Sequence, residues 1–198
     1  FRFNDSFVVS ENTDILLNYS NHPSGLLKGK DLFFKYSINK NIIELKSSFN
    51  DERNFELPYY NFTTSLNGAI WSINENTLLL TSNQGKRYAY PQEDKFKNWN
   101  FITENLFVDL SRQTVFGNGI EELQIADAYI IPENKKITIK ENFKIQDLSN
   151  SILILDTISE FHRFVNAEVA INSKTSFEGK GVYEYINFNL DTFNIPFS

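Results

Sequence analysis

Apolar residues in this chain alternate with polar ones over short runs, and almost nowhere do they recur at the spacing of three to four that a helix needs. Such alternation puts every second side chain on one face, so each run reads as a strand with one buried side. The pattern is written most clearly twice. Tyr36 to Ser48 is "YSINKNIIELKSS" and Trp71 to Asn83 is "WSINENTLLLTSN", 35 residues apart. In the first copy Tyr36 and Ile38 share a face, Asn39-Lys40-Asn41 turns, and Ile43 and Leu45 share a face. In the second, Trp71 and Ile73 come before the turn Asn74-Glu75-Asn76, with Leu78 and Leu80 after it.

Weaker copies follow. Val108 and Leu110 precede Ser111-Arg112-Gln113. Tyr129 and Ile131 precede Pro132-Glu133-Asn134, with Ile137 and Ile139 beyond. Val169 and Ile171 precede Asn172-Ser173-Lys174, with Phe177 beyond. One strand pair cannot bury its own face, whereas stacked pairs can. Two arrangements satisfy this: coils of a β-solenoid or jellyroll column with the Asn-rich turn at a corner, or hairpins of an antiparallel sandwich. The expected fold is therefore all-β, a repeat-built β-jellyroll, solenoid or β-sandwich with little helix. The helix candidates are short, at Glu11 to Asn18 and Lys95 to Asn105. Residues 1–198 read as one domain, with 1–27 as an edge or a linker to a preceding domain.

Composition agrees. Of 198 residues, 15% are aromatic, with 19 Phe and 9 Tyr, which favour pleated, half-buried surfaces. Asn is about one residue in eight, matched to turns rather than helix interiors. Net charge is −6 and pI about 5.0, without a basic cluster, which argues against a nucleic-acid partner. There is no cysteine, so disulfides, thiol catalysis and thiolate metal sites are excluded. No apolar run reaches the ~20 residues of a membrane-spanning helix. The chain begins at Phe1 and contains no Met, so it is expected to be a processed product or a piece of a longer protein.

The C-terminal half carries Ala126-Asp127-Ala128 with Pro132, the strand Ile137 to Ile139, His162 before Asn166-Ala167, and Gly179-Lys180-Gly181 with Tyr183 and Tyr185. This run resembles very large envelope proteins of Bacteroidetes. The style of the strand-turn-strand units is also similar to the β-jellyroll of OstA-type lipopolysaccharide-transport proteins. The first resemblance implies an exported protein of the cell envelope, in the periplasm or outer membrane. The second implies a lipid-lined groove.

No catalytic, cofactor or metal residues stand out. His22 lies in "NHPSG" and His162 in "EFHRFVN", and a catalytic role for either needs a nucleophile or carboxylate brought near by folding. The acidic pairs Asp51-Glu52, Glu93-Asp94 and Glu121-Glu122 are sequence neighbours, and neighbours in a strand or turn point apart. "FGNGIEE" and "EGKGVYE" lack the Lys-Ser/Thr pair and the following helix of a phosphate loop. The candidate ligand or partner contacts are the aromatics expected in or beside loops, Tyr59, Tyr60, Tyr88, Tyr90 and Trp99, with the adjacent cations Lys86 and Arg87. Exposed planar rings stack on sugars and anchor interfaces. The expected function is a non-enzymatic structural and interaction module of a large exported envelope protein. It would stack through open sheet edges against other domains of that protein or an envelope partner. A lipid- or glycolipid-carrying groove and a glycan-binding module are the alternatives.

Overall fold

A computed structural model describes residues 2–18, 25–48, 53–155, 158, 162–186 and 191–197. His22 and the pair Asp51-Glu52 lie outside the described residues. The chain runs through β1 (Arg2–Phe3), β2 (Phe7–Leu17), β3 (Leu27–Ser37), β4 (Ile42–Ser47), β5 (Phe55–Leu57) and β6 (Phe62–Thr64). It continues through β7 (Gly68–Ser72), β8 (Thr77–Thr81), β9 (Arg87–Pro91), β10 (Phe101–Thr103), β11 (Asn105–Asp109) and β12 (Thr114–Asn118). Then come β13 (Leu123–Ile125), β14 (Ala128–Ile131), β15 (Lys136–Lys140), β16 (Lys144–Ile145), β17 (Leu148–Leu155), β18 (His162–Ser173), β19 (Ser176–Ile186) and β20 (Thr192–Phe197). Helix among the described residues is confined to single 3-10 turns of three residues.

The strands form two antiparallel sheets. The larger turns a corner at β3, whose C-terminal half pairs with β4 while Lys28 near its start pairs with Glu56 of β5. Asp31, at φ 51°, stands between the two halves. One branch therefore runs β4-β7-β8-β11-β12-β15-β16 and the other β5-β6-β9-β10. The second sheet runs β13-β14-β17-β18-β19-β20. Successive hairpins alternate between the branches: β3-β4 in the first, β5-β6 in the second, β7-β8 in the first, β9-β10 in the second, β11-β12 in the first.

The inner side of the first branch carries two cross-strand rows. Leu45, Ala69, Leu80, Leu106, Gly117 and Ile137 are successive register partners, as are Ile43, Trp71, Leu78, Val108, Val115, Ile139 and Ile145. These are the alternating positions of the sequence; all but Ile43, Trp71 and Gly117 belong to one buried cluster with residues of the other branch and of the second sheet, and Ile43 and Trp71 are half-buried against it. Phe143, at the turn between β15 and β16, closes the core. Its ring centroid lies 5.9 Å from Phe62, 5.2 Å from Phe96 and 6.2 Å from both Trp99 and Phe101.

The paired segments of the sequence are the hairpins β3-β4 and β7-β8. Their loops, 38–41 and 73–76, have four residues, as have the loops 58–61 and 110–113. Each ends in a left-handed residue: Asn41, Asn61, Asn76 and Gln113, with φ between 51° and 56°. Asn enters this region more readily than other side chains, which accounts for its place there. The loops also hold one another. Ile73 N donates to Asn41 O at 3.0 Å, Gln92 N to Asn61 O at 2.8 Å and Leu110 N to Asn76 O at 3.0 Å. In parallel, Asn41 Nδ2 donates to Asn74 Oδ1 (3.1 Å), Asn61 Nδ2 to Glu93 Oε2 (2.9 Å) and Asn76 Nδ2 to Ser111 Oγ (3.4 Å). Asn41, Asn61 and Asn76, the last residues of three of these loops, are thus each bonded twice to the segment stacked next to them.

Several expectations are corrected. Residues Glu11 to Leu17 belong to strand β2, not a helix. Register breaks between Ser10 and Thr13 and between Thr13 and Ile15 spoil its alternation. Residues 95–105 hold part of one 3-10 turn, then β10 and the start of β11. Residues 7–17 pair along nearly all of β3. Tyr129 to Ile139 is not a hairpin: β14 lies in the second sheet and β15 in the first, and Pro132 to Lys135 cross between them. Among the described residues every strand pair is antiparallel, the arrangement of a β-sandwich or jellyroll rather than the parallel coils of a solenoid.

Candidate functional site

The seven candidate contacts do not form one site. Tyr59 and Tyr60 fill the loop 58–61, which folds inward against the turn between β15 and β16. Tyr59 is buried, and its hydroxyl lies 3.2 Å from Gln113 Oε1 and 3.4 Å from Glu141 Oε2. Burial first, and then the Glu141 carboxylate, raise its pKa above the ordinary tyrosine value. Tyr60 is completely buried, its ring 4.9 Å from Tyr59, and burial drives its pKa well upward. Neither ring is available to a ligand.

Trp99 is also structural. Its indole Nε1 donates to Gln124 O at 2.7 Å, and its ring packs on Phe96 and Phe101 at 5.5 and 5.7 Å. Lys86 is 2.8 Å from Glu121 Oε1, and Lys135 is 2.7 Å from Glu121 Oε2. This carboxylate joins three crossovers. The hydrogen bonds from Lys135 and Lys86 lower its pKa to about 2, and the bond to Glu121 raises that of Lys86. Arg87 hydrogen-bonds Ser82 Oγ and Gln84 Oε1, bracing the crossover into β9.

Tyr88 and Tyr90 lie on β9, not in a loop. They share its outer face, their ring centroids 6.0 Å apart and their planes inclined by 34°. Tyr88 is 42% exposed. The outer face continues across the sheet through the register partners Lys28, Glu56, Thr63 and Tyr90. An open cleft of about 640 Å³ over this row is lined by Lys28, Lys30, Arg53, Glu56, Thr63 and Gln92. A second, of about 380 Å³, is lined by Arg53, Tyr90, Gln92, Asp94 and Trp99 among others.

His162 faces Tyr183, its Nδ1 3.0 Å from the phenolic oxygen. Glu93 accepts from Asn61, and Glu121 is held by two lysines. Among the described residues no group of three or more His, Cys, Asp or Glu is placed to hold a metal ion.

The feature that the sequence analysis did not single out as a site lies at the far end of the second sheet. Ile130, Leu153, Phe164, Tyr183 and Ile195 form one row across β14, β17, β18, β19 and β20. Their exposure rises outward: 0% for Ile130, 7% for Leu153 and for Phe164, half-buried for Tyr183, and 49% for Ile195. The core-facing side of this sheet therefore runs beyond the core. Tyr185, Phe193 and Phe197 are exposed there too, with Tyr185 and Phe193 rings 6.3 Å apart and Phe164 and Phe197 rings 5.3 Å apart. β20 is the edge of the sheet. The signal in the sequence is the alternation Val182-Tyr183-Glu184-Tyr185 and Phe193-Asn194-Ile195-Pro196-Phe197, an apolar face like those of the core strands.

Comparison with protein-family models, with curated proteins and with solved structures finds no match to this chain.

Proposed function

We propose that this chain is a non-enzymatic structural and interaction module, built from stacked hairpin repeats, that belongs to a larger exported protein of the cell envelope. The observation that carries the interaction role is the row from Ile130 to Ile195, where a core face passes into solvent on strands β19 and β20. A contiguous apolar face at a sheet edge marks a surface that another polypeptide covers. The occupant is a β-hairpin of an adjoining domain or partner, laid over Tyr185, Phe193, Ile195 and Phe197. The recurrence of the four-residue loops with left-handed last residues supports the repeat reading. The envelope setting rests on the resemblance of the C-terminal half alone.

The test is photocross-linking from position 195 in the protein within its own cells, with position 88 on the outer face of β9 as the comparison. An adduct from 195, mapped to a strand-forming segment of the same or another envelope polypeptide, is the expected result. Absence of any adduct from 195 contradicts the proposal.

A second reading is favoured by the Tyr88-Tyr90 pair, which presents two adjacent rings beside polar clefts, a surface suited to a saccharide. Titration with a panel of oligosaccharides tests it, with Tyr88→Ala as the control that leaves the core untouched. The filled interior between the sheets, packed with Phe55, Tyr60, Phe62, Phe96 and Phe143, counts against a lipid groove running the length of the fold.

A further inference from the structure

The outer side of the first branch carries a row of its own. Glu44, Ile70, Leu79, Phe107, Phe116 and Thr138 are successive register partners across β4, β7, β8, β11, β12 and β15. Each stands between two inner-row residues of its strand and so takes the opposite face. An antiparallel strand with one solvated face alternates apolar and polar. β15 does so, with Lys136, Thr138 and Lys140 outward, and β4 turns Glu44 and Lys46 outward. The four strands between them carry apolar residues on both faces here: Ala69-Ile70-Trp71, Leu78-Leu79-Leu80, Leu106-Phe107-Val108 and Val115-Phe116. Ile70 is 40% exposed, Leu79, Phe107 and Phe116 are half-buried, and the Phe107 and Phe116 rings lie 6.2 Å apart. An apolar centre with a polar, charged rim is the make-up of a protein interface.

We propose that a second copy of this chain covers this face, sheet against sheet, about a two-fold axis that runs parallel to the strands between β8 and β11. The order of side chains along the row selects this occupant. About that axis Leu79 meets the partner's Phe107, Ile70 the partner's Phe116, and Glu44 the partner's Thr138. The outward neighbours of Thr138 on its strand are Lys136 and Lys140, so the acidic end of each row arrives between two amines of the other copy. Aligned sheets cross at about 30°, which slides the ends of the rows along the strands, and a lysine on each side of Thr138 keeps one within reach of Glu44. One row over, Thr77 and Asp109 are register partners across the axis position, so the hydroxyl of each Thr77 faces the partner's Asp109 carboxylate. Six strands at about 4.8 Å spacing and five residues at about 3.4 Å give a face of about 29 by 17 Å, and two such faces come to about 1,000 Å², the size of a specific interface.

Sedimentation velocity across the micromolar range tests this, and a species of twice the 23.0 kDa chain mass is expected, dissociating on dilution. Ile70→Lys, at the most exposed apolar position of the row, puts a cation into the centre of the face twice per dimer and is expected to weaken it about a hundredfold. The chain has no cysteine, so Glu44→Cys with Thr138→Cys gives a clean geometric test. Bismaleimidoethane is too short to span the roughly 24 Å between β4 and β15 within one sheet, so a 44–138 conjugate forms only between copies. That conjugate is expected in the covalent dimer. A chain that stays monomeric throughout, a dimer that Ile70→Lys leaves intact, or a covalent dimer lacking the 44–138 link overturns the proposal. Ile195→Asp, on β20, is expected to leave this dimer unchanged, so the inference and the proposed function fail separately.

Discussion

The left-handed asparagines bear two separable loads. One is conformational: an ordinary L-residue at φ near 55° costs roughly 1–2 kcal/mol that glycine does not incur. The other is the side-chain bond to the neighbouring loop. At Asn76 that bond is long, 3.4 Å to Ser111 Oγ, so conformation dominates. Asn76→Gly is expected to be nearly neutral and Asn76→Ala to destabilise by about 1 kcal/mol, read from urea midpoints. An equal loss in both variants would place the load on the side-chain bond instead. Glu121 gives a pH prediction. Its folded pKa, about 2, lies below the ordinary 4.5, so its contribution is fully present above pH 4.5 and is lost as pH falls toward 2. The carboxyl carbon should titrate with a midpoint near 2 in low salt and move upward in Lys135→Met. The bridge is solvent-exposed, so added salt should weaken the shift.

At the scale of the element, the row from Ile130 to Ile195 makes one strand position mean different things along a single line. Leu153→Ala should cost about 2–5 kcal/mol, because a cavity opens in a packed interior. Ile195→Ala should cost only about 0.5 kcal/mol, as for any exposed site. Thermal unfolding of the two variants checks this, and comparable losses would mean that the β20 face is already covered within the chain. Much of the element structure is readable from sequence where alternation is clean, as in Ile43, Leu45, Leu78 and Leu80. It is unreadable where local signals mislead. The register breaks in β2, between Ser10 and Thr13 and between Thr13 and Ile15, remove the clean alternation that would mark this segment as a strand. Gly85 before β9 and Pro91 at its end punctuate a strand so short that Tyr88 and Tyr90 read as loop. Pro132-Glu133-Asn134 has the look of a hairpin turn, yet it is a crossing between sheets. The destination of a strand is set by long-range pairing that no local pattern records.

Over the whole molecule, the alternation of hairpins between two branches means that no branch buries its face alone. Phe143 shows the dependence most sharply: it sits in the first branch and meets Phe62, Phe96, Trp99 and Phe101 of the other. Phe143→Ala is expected to cost about 3–5 kcal/mol and to lower the stability of both branches in a single transition, followed by far-ultraviolet and tryptophan signals together. Two separated transitions would mean that the branches fold independently. The burial of Tyr59 and Tyr60 and the half-burial of Trp99 follow from the same arrangement. Their sequence context is that of loops, but these loops close over the ends of a two-sided core and their rings become its caps.

The central claim is that the core face continued onto β19 and β20 is completed by another polypeptide. Amide hydrogen exchange tests it most directly, comparing the isolated chain with the protein in its native assembly. The amides of β20 should exchange quickly in isolation and become protected in the assembly, while those of β7 and β8 exchange equally slowly in both. Equal exchange of β20 in the two states would contradict the claim and leave the aromatic face as a bare surface.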